Sequence, residues 1–428
     1  MNYIEAEYAK MERRVKNIRE NPDPTKLKAT GMLYELEMEL RAHELEAWKE
    51  GQPFCFGPNI PALITSMGFN YLPIQNEADR VTNADKYFDI LRTKGYPDHH
   101  CDRTIIGVGM VLAQDVPVPA MTIAVNQACD PIMLMGHTIG QYYSPNHFCI
   151  DIDAVHDEAS ERLLSYTNDQ LGEWVEFSES RVPGIKYNED RMVELTAMDK
   201  EACDYLRDIY ELRKRSPCPL SGQDVFRLPR NPSQFPNPQK VVDYYRTLRD
   251  EIGERVERGQ GVVKEEKVRI MWTITAPYFA DVFKLLENQG ASVVHFQVGG
   301  AARFFGTRGY FGDENEYGRK LTPLEDQART LTMNSWAGLA NRWVDDTIYF
   351  CKDLNVDGIV NFEQWGCVAA VLTRKVLQDR VEAELGIPNL FVEGRNLDTS
   401  TFDMRDFQER MEHFVGVCID RKAQRTAA

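Results

Sequence analysis

The feature that most limits what this chain can fold into is a recurrence. Short apolar segments, each followed by a helical stretch, occur in two blocks on either side of a long region without strand signals. In the first block "PFCFG" and "FNYLPI" read as short strands around a helix near Leu63 to Met67. After Cys101 an apolar, glycine-containing helix leads through Pro117-Val118-Pro119 to the strand "MTIAV", the loop "NQACDP" and the strand "FCIDID". The second block runs "KVRIMWTIT", a helix from Tyr278 to Asn288, "SVVHFQV", a Gly-rich loop and a helix from Thr332 to Asp353. It continues with "GIVNF", a helix after Cys367, "NLFVEG" and a last helix from Arg405. Strands alternating with helices of this length predict parallel sheets built from βαβ units. Between the blocks, two charged helical segments, Met192 to Arg215 and Pro238 to Gln260, flank a Pro-rich connection. A chain of 428 residues exceeds the roughly 250–300 at which a single core stops growing. The expected class is therefore α/β, with two doubly wound parallel-sheet domains joined by a helical segment. The expected divisions are a helical segment over 1–50, an α/β domain over 51–188, a helical linker domain over 189–265 and a second α/β domain over 266–428.

Charge and motifs narrow the function. A formal net charge of −16 disfavours nucleic acid as the main partner. The amino terminus, "MNYIEAEYAK", has no apolar core of the signal-peptide kind, and the longest apolar stretch, Ile105 to Val125, is broken by Gln114, Asp115 and two prolines. A cytoplasmic protein without a membrane partner is expected. The templates GxSxG, HExxH and the kinase set are absent. The loop "QVGGAARFFGTRGYFGDENEYG" carries Gly299, Gly300, Gly306, Gly309 and Gly312 with Arg303 and Arg308. It lacks GxGxxG and a P-loop Lys-Ser/Thr, so it reads either as a lid over an anionic or aromatic ligand or as a long surface loop.

The cysteines are the more informative set. There are nine and no CxxC pair, so neither a zinc ribbon nor a local redox dithiol is written here. Most should be small apolar core residues. Cys367, in "FEQWGCVAAV", and Cys129, before Asp130-Pro131, differ because each falls where a strand hands the chain to a helix. Asp as N-cap and Pro at the first helical position make Asp130-Pro131 a good helix opening. In open α/β sheets ligands bind at the carboxyl ends of the strands. A helix amino terminus also favours thiolate over thiol. Cys101, in "YPDHHCDRT", follows His99 and His100, with 27 residues between it and Cys129. Packing, a Cys/His zinc site and an iron–sulfur cluster all fit these residues taken alone. His99, His100 and His137 are candidate proton donors, whereas His295, inside a strand, reads as structural.

The order of "FCFGPNIPALITSMGF", "GYPDHHCDRTIIGVGM", "VPVPAMTIAVNQACDPIMLMGHTIGQYY", "RSPCPLSGQDVF", "VDGIVNFEQWGC" and "GIPNLFVEGRNLDTSTFDMRDFQERMEHF" resembles the benzoyl-CoA reductase and 2-hydroxyacyl-CoA dehydratase family, specifically its large, cluster-binding subunit. The likeness spans about residues 25 to 420. It implies two flavodoxin-like domains and a 4Fe-4S cluster held by Cys101, Cys129 and Cys367, with Cys55 in reserve and one iron left open. It further implies a related smaller cluster-binding subunit, a separate ATP-hydrolysing iron–sulfur activator and an acyl-CoA thioester that accepts one electron to become a ketyl radical. A dehydratase then loses a hydroxyl to give an enoyl-CoA, while a reductase adds electrons and protons to an aromatic ring and gives a cyclic dienoyl-CoA.

Where dehydratases of this family carry a serine and a glutamate near the substrate hydroxyl, this chain has Gly57 and Gln75, with Glu77 two residues on. Glycine offers no side-chain hydrogen bond, and glutamine is no general base. The expected reaction is therefore that of a benzoyl-CoA reductase-type oxidoreductase. Phe54, Phe56, Phe69 and Tyr71 are the candidate pocket walls, and Gln75, His99 and His100 the candidate catalytic groups. A dehydratase acting on a 2-hydroxyacyl-CoA such as lactyl-CoA or 2-hydroxyglutaryl-CoA, and a cluster-free scaffold, are the alternatives.

Overall fold

Two parallel sheets of four strands each organise the chain, seen in a computed structural model that describes all residues except 24–25, 98, 127–128, 154–159, 230, 298–316, 333–339 and 428. The first sheet holds β1 (Phe54–Phe56), β2 (Asn70–Tyr71), β3 (Met121–Val125) and β4 (His147–Ile150), in the order β2-β1-β3-β4. The second holds β5 (Val268–Ile274), β6 (Ala291–Gln297), β7 (Gly358–Gln364) and β8 (Asn389–Gly394), in the order β6-β5-β7-β8. The two orders are the same, and every pairing is parallel. This is the α/β class with two parallel-sheet domains. In each sheet the order reverses once, between β1 and β3 and between β5 and β7, and such a switch point opens a crevice at the carboxyl ends of the strands.

The strands differ in how they are made. β5, β6 and β7 are seven residues each and buried throughout. Their runs of Val, Ile, Trp and Phe suit strands covered on both faces by helices. β1 and β2 have three and two residues. The core of the first unit therefore leans on helices, with Trp174 from the helix Glu161–Arg181 packed among Leu63, Ile64 and Phe69. In the second unit Trp272, Phe283 and Phe296 meet edge to face, and Phe226 joins them.

By its contacts the chain forms two compact units, one of 1–205, 230–248 and 313–337 and the other of 206–229, 249–312 and 338–428. Residues 189–265 contribute to both, through the helices Glu189–Arg213 and Pro238–Glu257. The helix read over Tyr278 to Asn288 is shorter, Val282–Glu287, because Asp281 caps it by accepting from the Lys284 amide at 3.1 Å. Of the helix read from Thr332 to Asp353, Ala340–Asp353 is helical and Thr332 is the last residue of the helix Pro323–Thr332, while 333–339 lie outside the described residues. The helices Tyr3–Glu20 and Glu161–Arg181 carried no separate signal in the sequence. The Gly-rich loop, with Arg303 and Arg308, lies outside the described residues. Among the described residues no helix is long and apolar enough to cross a membrane.

Candidate metal centre

Local backbone chemistry puts three cysteines in the same kind of place. Cys101, Cys129 and Cys367 are the N-cap residues of the helices Asp102–Leu112, Asp130–Tyr143 and Val368–Leu385, and none of the three thiols caps its own helix; the cap expected at Asp130 falls one residue earlier, on Cys129, because Asp130 and Pro131 already belong to the first turn. The amides of a first helical turn have no partner within the helix, and with the helix dipole they favour an anion in front of them. Cys129 follows β3 and Cys367 follows β7, so the two occupy equivalent positions in the two sheets, each beside the switch point. The helix Asp130–Tyr143 joins the parallel strands β3 and β4 and so begins at the carboxyl edge of the first sheet, where Cys129 stands. The helix Asp102–Leu112, which starts at Cys101, packs against it. Cys367 belongs to the second unit.

Each helix is seated by a specific device. Gly136 lets Asp130–Tyr143 lie directly on β3: a Cβ there would stand 2.9 Å from Ala124 Cβ and 3.1 Å from Ala124 Cα. Gly107 lets Asp102–Leu112 pack against that same helix, since a Cβ would meet Met135 Sδ at 2.9 Å. At the third cysteine, the chain turns through Trp365 and Gly366 at φ +82°, a left-handed backbone that glycine adopts without strain. The Trp365 amide donates to Gly394 O at 2.9 Å and the Cys367 amide to Gln364 O at 3.0 Å, so the turn is tied to β8 and closed on itself. Arg374, on the helix that follows, pairs with Glu363 of β7 at 2.7 Å and Glu393 of β8 at 3.0 Å. Strand β7 and the glycine turn together fix where the Cys367 thiol begins.

Strain marks the same edge of the second sheet. Ile274, the last residue of β5, holds φ +75°, a conformation that a β-branched side chain rarely takes. Beyond it the Trp272 indole donates to Thr275 O at 2.6 Å, and the Thr275 hydroxyl to Asn396 Oδ1 at 3.0 Å.

Four of the other six cysteines hold thiols that resist ionising. Cys55 is buried in β1 with a thiol pushed far up by burial, and it packs in the core of the first unit. Burial likewise raises Cys351 and takes Cys418 to about 12. Cys149 is raised by burial and by Asp151. A thiol that resists ionising is a poor ligand, because the thiolate is what binds metal. The three N-cap cysteines are all partly accessible, and their chemistry suits a cluster that needs thiolates near backbone amides. Among the described residues no three His, Cys, Asp or Glu side chains stand together as a metal-binding group.

The other candidates separate clearly. His99 is exposed and His100 half-buried, with ring centroids 4.7 Å apart immediately before Cys101. His137 faces His147 instead, Nδ1 to Nε2 at 2.9 Å. Gln75 is half-buried on the short helix Ile74–Glu77, beyond the carboxyl end of β2. Phe54, Phe56, Phe69 and Tyr71 are sealed in the core, so they pack rather than line an open pocket. A Cβ on Gly57 would stand 3.1 Å from Ile123 Cδ1, so even a serine there needs Ile123 to give way. Glu77 is 1% exposed; the Tyr3 hydroxyl donates to its Oε2 at 2.8 Å, and Arg41 Nη2 lies 2.8 Å from the same oxygen. Its carboxylate is committed to that network. Sequence reasoning missed Arg41, inside the helix Lys28–Lys49, and Tyr3, the first residue of the helix Tyr3–Glu20.

Residues 62–417 match the family model of the 2-hydroxyglutaryl-CoA dehydratase D-component. A benzoyl-CoA reductase subunit of Thauera aromatica is 24% identical over 75% of this chain and 76% of its own. The (R)-phenyllactyl-CoA dehydratase alpha subunit of Clostridium sporogenes is 21% identical over 94% of this chain and 98% of its own. The (R)-2-hydroxyisocaproyl-CoA dehydratase alpha subunit of Clostridioides difficile is 22% identical over 93% and 98%. With four-fifths of its length matched, and with cysteines where a strand meets a helix in both sheets, this chain belongs to the 2-hydroxyglutaryl-CoA dehydratase D-component family.

Proposed function

We propose that this chain is the iron–sulfur subunit of an ATP-dependent benzoyl-CoA reductase-type enzyme acting on an aromatic acyl-CoA. Cys101, Cys129 and Cys367 would hold a 4Fe-4S cluster. The support is their common placement as N-caps and the contrast with the buried, poorly ionising cysteines. When bound, such a cluster supplies single electrons at low potential, tuned by its hydrogen bonds and burial. The chain's own part is to present three thiolates, to surround them with first-turn amides and to keep water away from the reacting thioester. His99 and His100, next to Cys101, would pass protons to a reduced ring; His99 is exposed and His100 half-buried. Gln75 would orient the substrate as an amide donor, since it cannot act as a base. A related partner subunit and an ATP-hydrolysing activator belong to this reading; all three relatives are named as subunits.

The observation that carries reduction over dehydration is the fate of the hydroxyl-handling positions. Gly57 has no side chain and is hemmed in by Ile123, while Glu77 is held by Arg41 and Tyr3. A second reading, the large subunit of a 2-hydroxyacyl-CoA dehydratase, is favoured by the greater share of the chain that the two dehydratase subunits match. The complex, supplied anaerobically with activator, ATP and both kinds of thioester, separates the two. A cyclic dienoyl-CoA from benzoyl-CoA is the expected product; an enoyl-CoA from a 2-hydroxyacyl-CoA, with the aromatic thioester untouched, would overturn it.

A further inference from the structure

Of the three N-cap cysteines, Cys101 is the one that no strand delivers. Cys129 and Cys367 follow β3 and β7 within a few residues, whereas Cys101 comes after the helix Asp85–Thr93, with no strand between them among the described residues. Something else must fix where its helix begins.

Arg103, in the first turn of that helix, reaches out of it. Its Nε lies 2.7 Å from Asp79 Oδ1, as an ion pair too oblique to count as an aligned hydrogen bond. Its Nη2 donates to Asn76 Oδ1 at 2.5 Å. The two charged side chains are 22% and 14% exposed, so solvent screens them less than it would a pair on the open surface. Asp79 and Asn76 lie in 74–80, and that segment is anchored from behind. Glu77 is held by Tyr3 and Arg41, and Arg80 Nη2 donates to Glu37 Oε1 at 2.8 Å while Nη1 binds Glu37 Oε2. Glu37 and Arg41 belong to the long helix Lys28–Lys49. A continuous line of polar contacts therefore runs from the amino-terminal helices, through 74–80, to the first turn of the helix that carries Cys101.

We propose that Arg103 is a positioning residue for Cys101: its clamp on Asp79 and Asn76 takes the place of the strand that positions the other two cysteines. This rests on the reading of Cys101 as a cluster ligand. Outer contacts that orient a ligand commonly change metal affinity by about 10–100-fold when removed.

The test uses the full chain, co-expressed with its partner subunit and purified without oxygen, as wild type, Arg103→Gln, Arg103→Lys and Asn76→Ala. Three quantities are read: iron release to a chelator, the EPR spectrum of the reduced protein, and amide hydrogen exchange over residues 99–105 in metal-free protein. Arg103→Gln is expected to release iron about tenfold faster, with an altered spectrum. Lysine, which keeps the charge on Asp79 but not the fork, should restore part of the loss. Asn76→Ala, which removes one arm and no charge, should act in the same direction more weakly and covers the case in which Arg103→Gln does not fold. Unchanged iron release and spectrum overturn the proposal, even if exchange is faster, because Arg103 would then order the helix without serving the cluster. If wild type holds no iron, the cluster reading itself fails and the proposal falls with it, which separates that failure from one in which wild type holds iron and Arg103→Gln leaves its release and spectrum unchanged.

Discussion

The two sheets share a strand order, yet they are stabilised in different ways. The second is built from strands of six and seven residues, three of them wholly buried, with an aromatic cluster on one side. The first has strands of two to five residues and makes up the difference with helices pressed close by glycines and with buried ion pairs. The long strand β7 carries the chain to Cys367, where Gly366 and the pairs of Arg374 with Glu363 and Glu393 seat the turn. In the first unit, which carries two of the three candidate ligands, β3 leads to Cys129, while helix packing and charge seat the helix of Cys101.

Substitutions aimed at one unit should therefore fail in different ways from those aimed at the other. The largest effect is expected at Arg41, which is 1% exposed and faces Glu44 at 2.6 Å and Glu77 at 2.8 Å. Arg41→Met leaves two buried carboxyls without their cation and should cost about 3–5 kcal/mol. Denaturant unfolding followed by probes in each unit should show the loss in the first unit's transition; an equal loss in both would break the contrast.

The same network sets a pH dependence. Burial, helped by Glu77 and opposed by Arg41, raises Glu44 to about 8. The folded state keeps a proton that the unfolded chain releases at ordinary carboxyl pH, so stability should fall as pH rises from the ordinary carboxyl range toward 8. Glu44→Gln should flatten that decline, as urea midpoints taken across this window would show.

Gly136→Val is expected to cost about 1–3 kcal/mol, since the new side chain meets the β3 backbone at Ala124, and to loosen the seat of Cys129. The smallest effect is at the long sheet. Gly366→Ala puts a Cβ on a left-handed turn at a cost of about 1–2 kcal/mol, measurable as a lower thermal midpoint of the second unit.

The same difference explains what the sequence could show. The strands of the second sheet were legible because both faces are buried: Val268 to Ile274 reads as a near-continuous apolar run and Gly358 to Phe362 as a shorter one, which the structure extends through Glu363 to Gln364. Cys129 and Cys367 were legible for the same reason, as residues just past a strand. The clamp on Cys101 was not, because Arg41, Glu77, Asp79 and Arg103 look like ordinary helix-surface charges until the fold buries the first two and half-buries the others. Nor did sequence foretell that Glu77 is held by Arg41 and Tyr3, the latter a contact across 74 residues. Helix lengths were missed where a side-chain cap decides the start, as Asp281 does.

The most direct test of the central claim is iron and acid-labile sulfide, with EPR of the reduced form, on protein purified anaerobically with its partner subunit. About four of each per chain, lost alike in Cys101→Ser, Cys129→Ser and Cys367→Ser but kept in Cys55→Ser, is the result expected of a cluster held at three helix N-caps. A folded complex without iron, or one whose iron survives all three substitutions, would contradict the claim and return these cysteines to packing.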